Sequence, residues 1–163
     1  MDHRRLLILD TGPIRELVTY RAVNELGFNR MRGELKHFID QRSYGNFSSF
    51  LSSFQRRATS ASVVAELNHW IRNTEVTGQR DLWQLTFEEF RNSGLDERLI
   101  KLLDMDLDHV NRFGPTDVSL MEIARQNNAR IPLVLTLDSR LFGECWGQQI
   151  EARLLATVCS PSQ

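Results

Sequence analysis

Two short apolar runs, Leu6-Leu7-Ile8-Leu9 and Ile131-Pro132-Leu133-Val134-Leu135-Thr136-Leu137, are each closed by an aspartate, Asp10 and Asp138. Neither run shows the alternation of a half-exposed strand, so each reads as a strand buried on both faces, the condition of a parallel sheet covered by helices. Parallel neighbours need long crossover connections, and the sequence between the two runs supplies them. Helical patterns are expected from Pro13 to about Tyr20 and from Arg30 to Arg42, the latter with Met31, Leu35, Phe38 and Ile39 on one face. Ser60 or Ser62 can cap a helix to Arg72 whose stripe is Val63, Leu67, Trp70 and Ile71. Gln79 to Asn92, Asp108 to Phe113, Asp117 to Asn128 and a segment through Trp146 complete the helices. Two more strands are expected, over Leu99–Leu103 and near Ala152 to Thr157, while Ser43 to Phe54 receives no assignment. The expected fold is a three-layer α/β/α sandwich with a mainly parallel central sheet, one domain over residues 1–158 followed by a frayed tail, 159–163.

With 163 residues, 41% of them hydrophobic, the chain can bury a core without disulfides or structural metal. Cys145 and Cys159 have neither the spacing nor the histidine companions of a zinc site, which fits a reducing compartment. No stretch approaches the roughly 20 apolar residues of a membrane span, and Met1 to Arg5 lacks a signal-peptide pattern, so a soluble cytoplasmic protein is expected. The net charge of −1 gives no global attraction for nucleic acid, but the charge is uneven. Residues 1–72 carry 11 Arg/Lys against 7 Asp/Glu, and residues 73–111 carry 4 against 9. The N-terminal half is the better phosphate-facing surface, and the aromatic-rich stretch Tyr44, Phe47, Phe50 and Phe54 before Arg56-Arg57 suits either base stacking or the core.

Ligand sites in open α/β sheets form at the carboxyl ends of strands, so Asp10 and Asp138 are expected on one rim. Asp117, opening a helix just before the Asp138 strand, is expected beside them. Glu66 falls between Val63 and Trp70 on its helix, at the edge of the face that buries. Each acid has an ordinary alternative: a helix N-terminal carboxylate for Asp117, a turn for Asp10, a cap for Asp138, and for Glu66 a pairing with Arg or His69 or a surface side chain snorkelled into water. Together they form a set of carboxylates that repel one another unless a cation neutralises them, and all-oxygen ligation selects Mg²⁺ or Mn²⁺ over zinc. Such ions activate water and neutralise charge on a phosphodiester during displacement.

Three other motifs fail. Asp104-Met105-Asp106-Leu107-Asp108 begins like a calcium loop, but His109 stands where glycine is needed and Pro115 where the bidentate glutamate is needed. Asp10-Thr11-Gly12 has glycine at the place of the second aspartate of a haloacid-dehalogenase phosphatase. Neither a GxGxxG nor a Walker A run is present.

Four pieces of the chain are similar to the PIN-domain family, in particular the toxin nucleases of bacterial and archaeal toxin–antitoxin pairs. They are Leu7 to Pro13, Ser62 to Leu67, Gly114 to Leu120 and Leu135 to Phe142, in that order. The resemblance implies a PIN-like sandwich and a Mg²⁺- or Mn²⁺-dependent endoribonuclease. Asp10, Asp117 and Asp138 would hold the ion, and Glu66 would bind it or orient the attacking water. Thr11, Thr116 and Thr136 are expected to support the acids, and Arg56, Arg57 and Arg140 to contact nucleic acid. RNA substrate, a homodimer and an antitoxin partner follow from the same likeness. Two departures stand: the long Asp10 to Glu66 separation suggests an insertion, and Asp104 or Asp106 could replace one acid. A structure-dependent DNA nuclease and a catalytically inactive PIN-like interaction module are the alternatives, the latter favoured if the four carboxylates lie far apart or are salt-bridged to Arg15 or Arg140.

Overall fold

Strand β1 (Leu6–Leu9), buried at every position, occupies the centre of a five-stranded sheet in a computed structural model that describes residues 5–38, 40–74 and 78–160. Its neighbours are β2 (Arg56–Ser60) and β4 (Pro132–Thr136), with β3 (Leu95–Arg98) outside β2 and β5 (Glu151–Leu154) outside β4. All four pairings are parallel. The central strands are the apolar runs of the sequence, and charged residues mark both edge strands, where exposed backbone would otherwise invite further pairing. Helices cover both faces, giving the expected α/β sandwich.

Helix α1 (Thr11–Glu25) continues past Tyr20, because nothing interrupts it before Gly27, which adopts a left-handed φ of 73°. Gly12 in its first turn lies against Leu137, since a Cβ there would stand 2.7 Å from Leu137 Cδ1. The helix expected over Arg30–Arg42 is replaced by a 3₁₀ segment, Asn29–Glu34, followed by non-helical chain that bends at Lys36 and His37. The buried carboxylate of Glu16 on α1 is the cause. Its Oε1 accepts the backbone N–H groups of Lys36, His37 and Phe38, donors that a continuous helix would spend on its own carbonyls. Phe38 is thereby drawn into the core; Ile39, expected on the same face, lies outside the described residues.

Helix α2 (Gln41–Ser52) is closed at its start by a reciprocal cap between Asp40 and Ser43. Phe47 and Phe54 are buried, and Tyr44 stacks on Tyr20 with ring centroids 4.4 Å apart, so these aromatic rings serve packing. After β2, Ser60 caps α3 (Ala61–Asn73), and α4 (Gln79–Asn92) follows with the bounds expected. Arg21 ties α1 to α4 through Glu88 at 2.9 Å and Glu89 at 2.8 Å.

Two strand expectations shift. The third strand lies at Leu95–Arg98, not Leu99–Leu103, because β2 ends at Ser60 to cap α3 and leaves no partner beyond the Ser60–Arg98 pair. Leu99 and Leu103 are instead 76% and 94% exposed. Likewise β5 ends where β4 ends, at the Thr136–Leu154 pair, and α8 (Leu155–Cys159) takes the rest of the expected strand. Cys159 is buried and so packs with the body of the protein; of the expected tail, residues 161–163 lie outside the described residues. Helices α5 (Leu107–Phe113), α6 (Pro115–Gln126) and α7 (Ser139–Gly147) complete the fold. Gly114, with φ 91°, ends α5 and starts α6, a turn that a side chain would strain. Among the described residues no helix is long and apolar enough to cross a membrane.

Candidate carboxylate site

The rim is built from Asp10, the residue after β1. Its side chain caps α1, Oδ1 accepting from Thr11 N at 2.6 Å, while Oδ2 accepts from Thr136 Oγ1 at 2.6 Å. Thr136 is the last residue of β4, the neighbouring strand. Its hydroxyl oxygen also accepts the Asp138 N–H at 2.8 Å, so one threonine connects the two strand-end aspartates. Asp138 then caps α7, accepting from Arg140 N at 2.6 Å.

Glu66 reaches the same rim from α3. Thr11 Oγ1 donates to its Oε2 and Thr116 Oγ1 to its Oε1, each at 2.6 Å, which fixes both carboxylate oxygens of an otherwise exposed side chain. The hydroxyls of Thr11, Thr116 and Thr136 are therefore all spent on these acids. Asp117 follows Thr116 in the first turn of α6 and is half-buried. Among the described residues its carboxylate receives no hydrogen bond.

The electrostatics show that the four acids share one field. Burial pushes the Asp117 carboxyl up from 3.8 to about 7, aided by the charges of Asp10, Asp138 and Glu66 and opposed by Arg140. Asp10 rises to about 6, again mainly through burial, with Glu66 and Asp138 adding to the rise and the bonds from Thr136 and Thr11 opposing it. Among the described residues none of the four acids is in an ion pair. Arg15 pairs with Glu34 at 3.2 Å instead. Arg140, the cation that Asp117 senses, lies over the Phe113 ring at 4.8 Å and donates to the Arg112 carbonyl.

The other expected residues are placed elsewhere. Arg56 and Arg57 begin β2, at the end of the parallel sheet opposite the acids, and the Arg57 guanidinium is committed to the carbonyls of Leu51, at 2.7 Å, and Ser93. Asp104 belongs to a single 3₁₀ turn and Asp106 caps α5 through His109 N at 2.8 Å; neither stands at a strand end or among the main charges acting on Asp10 and Asp117. Both cysteines are free and buried, their thiols pushed up to about 12 by that burial.

Beside the acids opens a cleft of about 1170 Å³, lined by Glu66 and Asp117 and also by Arg30, Trp70, Asn73 and Phe113. Trp70 reads in sequence as part of the buried stripe of α3. Its spacing of one turn from Glu66 was the available signal that it shares the rim instead.

Comparison with protein-family models and with curated proteins finds no match to the chain. The functional reading therefore rests on the site itself. Its donors are all carboxylate oxygens, and two of them are held against their own charge in the absence of a paired cation, which is the chemistry a hard divalent ion satisfies. Among the described residues no three His, Cys, Asp or Glu side chains converge into a ready-made ligand group. The acids thus fit such an ion by donor type and charge, and binding would have to draw them together.

Proposed function

We propose that the protein is a metal-dependent endoribonuclease that hydrolyses RNA phosphodiesters at Asp10, Glu66, Asp117 and Asp138. The observation that carries this reading is the rim itself, where Thr136 joins Asp10 to the Asp138 N–H, Thr11 and Thr116 fix Glu66, and no acid has an ion-pair partner among the described residues. Asp10, Asp117 and Asp138 would hold Mg²⁺ or Mn²⁺, which when bound supplies charge neutralisation on the phosphate and acidifies water. Thr136 keeps Asp10 turned toward the rim and holds the start of α7 in place through the Asp138 N–H. Glu66, clamped by two hydroxyls, is oriented to accept a proton from the water that attacks phosphorus. Hydrolysis forms one P–O bond from that water and breaks the bond to the leaving ribose oxygen, which takes up a proton.

The resemblance to toxin nucleases extends the proposal to a homodimer restrained by an antitoxin, whose simplest inhibitory contact is an Arg or Lys side chain placed among the acids. A second reading, an inactive interaction module, is favoured by the lack of a ready-made ligand group among the described residues. The test is cleavage of labelled RNA with Mg²⁺ or Mn²⁺, without ion, and after chelation. Activity that requires the ion and disappears in a folded Asp10→Asn protein supports the nuclease; equal cleavage by that variant removes it, and absence of any cleavage favours the module.

A further inference from the structure

Two arginine–aromatic pairs border the carboxylate cleft. On the α1–α3 side the Arg15 guanidinium lies 5.2 Å from the Trp70 ring centroid, and both are held by one oxygen, Glu34 Oε2, which accepts from Arg15 Nη2 and from Trp70 Nε1 at 3.2 Å each. At the α5–α6 junction Phe113 lines the cleft and carries Arg140 at 4.8 Å and Arg112 at 4.9 Å. Arginines beside four acids would ordinarily fold onto them and cancel the site. Here the rings, Glu34 and the Arg112 carbonyl hold both guanidinium groups back from the carboxylates. Arg30, also on the cleft, has no ion-pair partner among the described residues.

We propose that the cleft takes an unpaired polynucleotide strand, with Arg15–Trp70 and Arg140–Phe113 as two stations for the nucleotides flanking the scissile phosphate. This rests on the nuclease reading of the acids. A guanidinium stacked on a ring offers its outer plane to a base and its N–H edge to a phosphate; an unpaired nucleotide can use both, whereas a duplex, whose bases are paired and stacked inside, can use only the second. The cleft of about 1170 Å³ exceeds the roughly 300–1,000 Å³ of pockets for a single small ligand, which leaves room for more than one nucleotide. Neutralising the acids by ion binding removes the repulsion that would otherwise oppose the strand.

Binding is measured by fluorescence anisotropy in Mg²⁺ with all four acids in place, using a short labelled single-stranded RNA made cleavage-resistant by phosphorothioate linkages, its blunt duplex and the matching single-stranded DNA. Trp70→Ala should weaken single-strand binding about tenfold or more, with Trp70→Phe retaining most of it. Arg140→Ala should lower affinity and reduce the salt slope by about 1. The duplex should bind more weakly and respond to neither ring substitution. Equal binding of duplex and single strand, or original affinity in both the Arg140→Ala and Trp70→Ala proteins, overturns the proposal. If Trp70→Ala does not fold, Arg140→Ala decides, because that residue is exposed. The DNA arm separates the two sources of such a strand, and either sugar preference leaves the stations standing. Failure of the nuclease reading is distinct: intact station behaviour without cleavage by the unmutated protein. Cleavage by that protein with station variants that bind and cleave as it does sinks the stations alone.

Discussion

Asp117→Asn should make the ion-free protein more stable at pH 8. Folding raises this carboxyl from 3.8 to about 7, so ionising it in the native state is unfavourable, and the full linkage free energy of such a rise is on the order of 4 kcal/mol. Asp117 is only half-buried at the edge of an open cleft, and solvent screening reduces this to roughly 1–2 kcal/mol. Against it stands the favourable interaction of a carboxylate with the first turn of α6, about 0.3–1 kcal/mol, which the amide loses. The net gain is about 1 kcal/mol, or a rise in Tm of roughly 2–4 °C for a chain of this size. The sign with pH follows from the raised value. The native state binds the proton more tightly than the unfolded chain, so its stabilisation is complete below the unfolded value near 3.8 and is lost as pH rises through about 7. At about pH 3, where the carboxyl is mostly protonated in both the native and the unfolded states, the two proteins should melt almost together. Millimolar Mg²⁺ or Mn²⁺ should reverse the ranking at pH 8, since an ion at 100 times its Kd adds about 2.7 kcal/mol to the protein that binds it. Thermal melts at both pH values, with and without ion, read all of this. A variant less stable at pH 8 without ion would show that Asp117 is a helix-start carboxylate at peace with its surroundings, and the argument for an ion-seeking cluster would be refuted.

Thr136→Val removes the hydroxyl that donates to Asp10, so the Asp10 carboxyl should move above about 6 and the acidic limb of the cleavage–pH profile should shift to higher pH; an unmoved limb would dissociate Asp10 from that titration. Glu16→Ala leaves the buried Phe38 N–H without its acceptor and exposes the Lys36 and His37 N–H groups to water, and should lower unfolding free energy by about 1–3 kcal/mol in a denaturant titration, the cost of one buried donor left without a partner; no measurable loss would mean that water reaches the Phe38 donor as well. Induction in a bacterial host should arrest growth with the unmutated gene and not with Asp117→Asn at matched protein levels; equal growth would argue against a toxin.

The strands β1 and β4 and the acids at their ends are legible in the sequence because an apolar run broken by aspartate is a local pattern, complete within seven or eight residues. Helices α3 and α4 are legible for the same reason, their periodicity and caps lying within their own span. Strand β2 is not, since Arg56-Arg57-Ala58-Thr59-Ser60 has no apolar run and becomes a strand by pairing with β1 and β3. The ends of β3 and β5 depend on where β2 and β4 stop, and the lost helix after Asn29 depends on a glutamate on α1 that captures its donors. At the rim, the sequence by itself determined which four acids are present and which strands and helices carry them. Only the tertiary structure decided that three threonine hydroxyls are spent on two of those acids, that no described cation pairs with any of them, and that Trp70 lines their cleft. Each of these is fixed by groups that are distant along the chain, whose meeting is set by the packing of the layers rather than by the residues nearby.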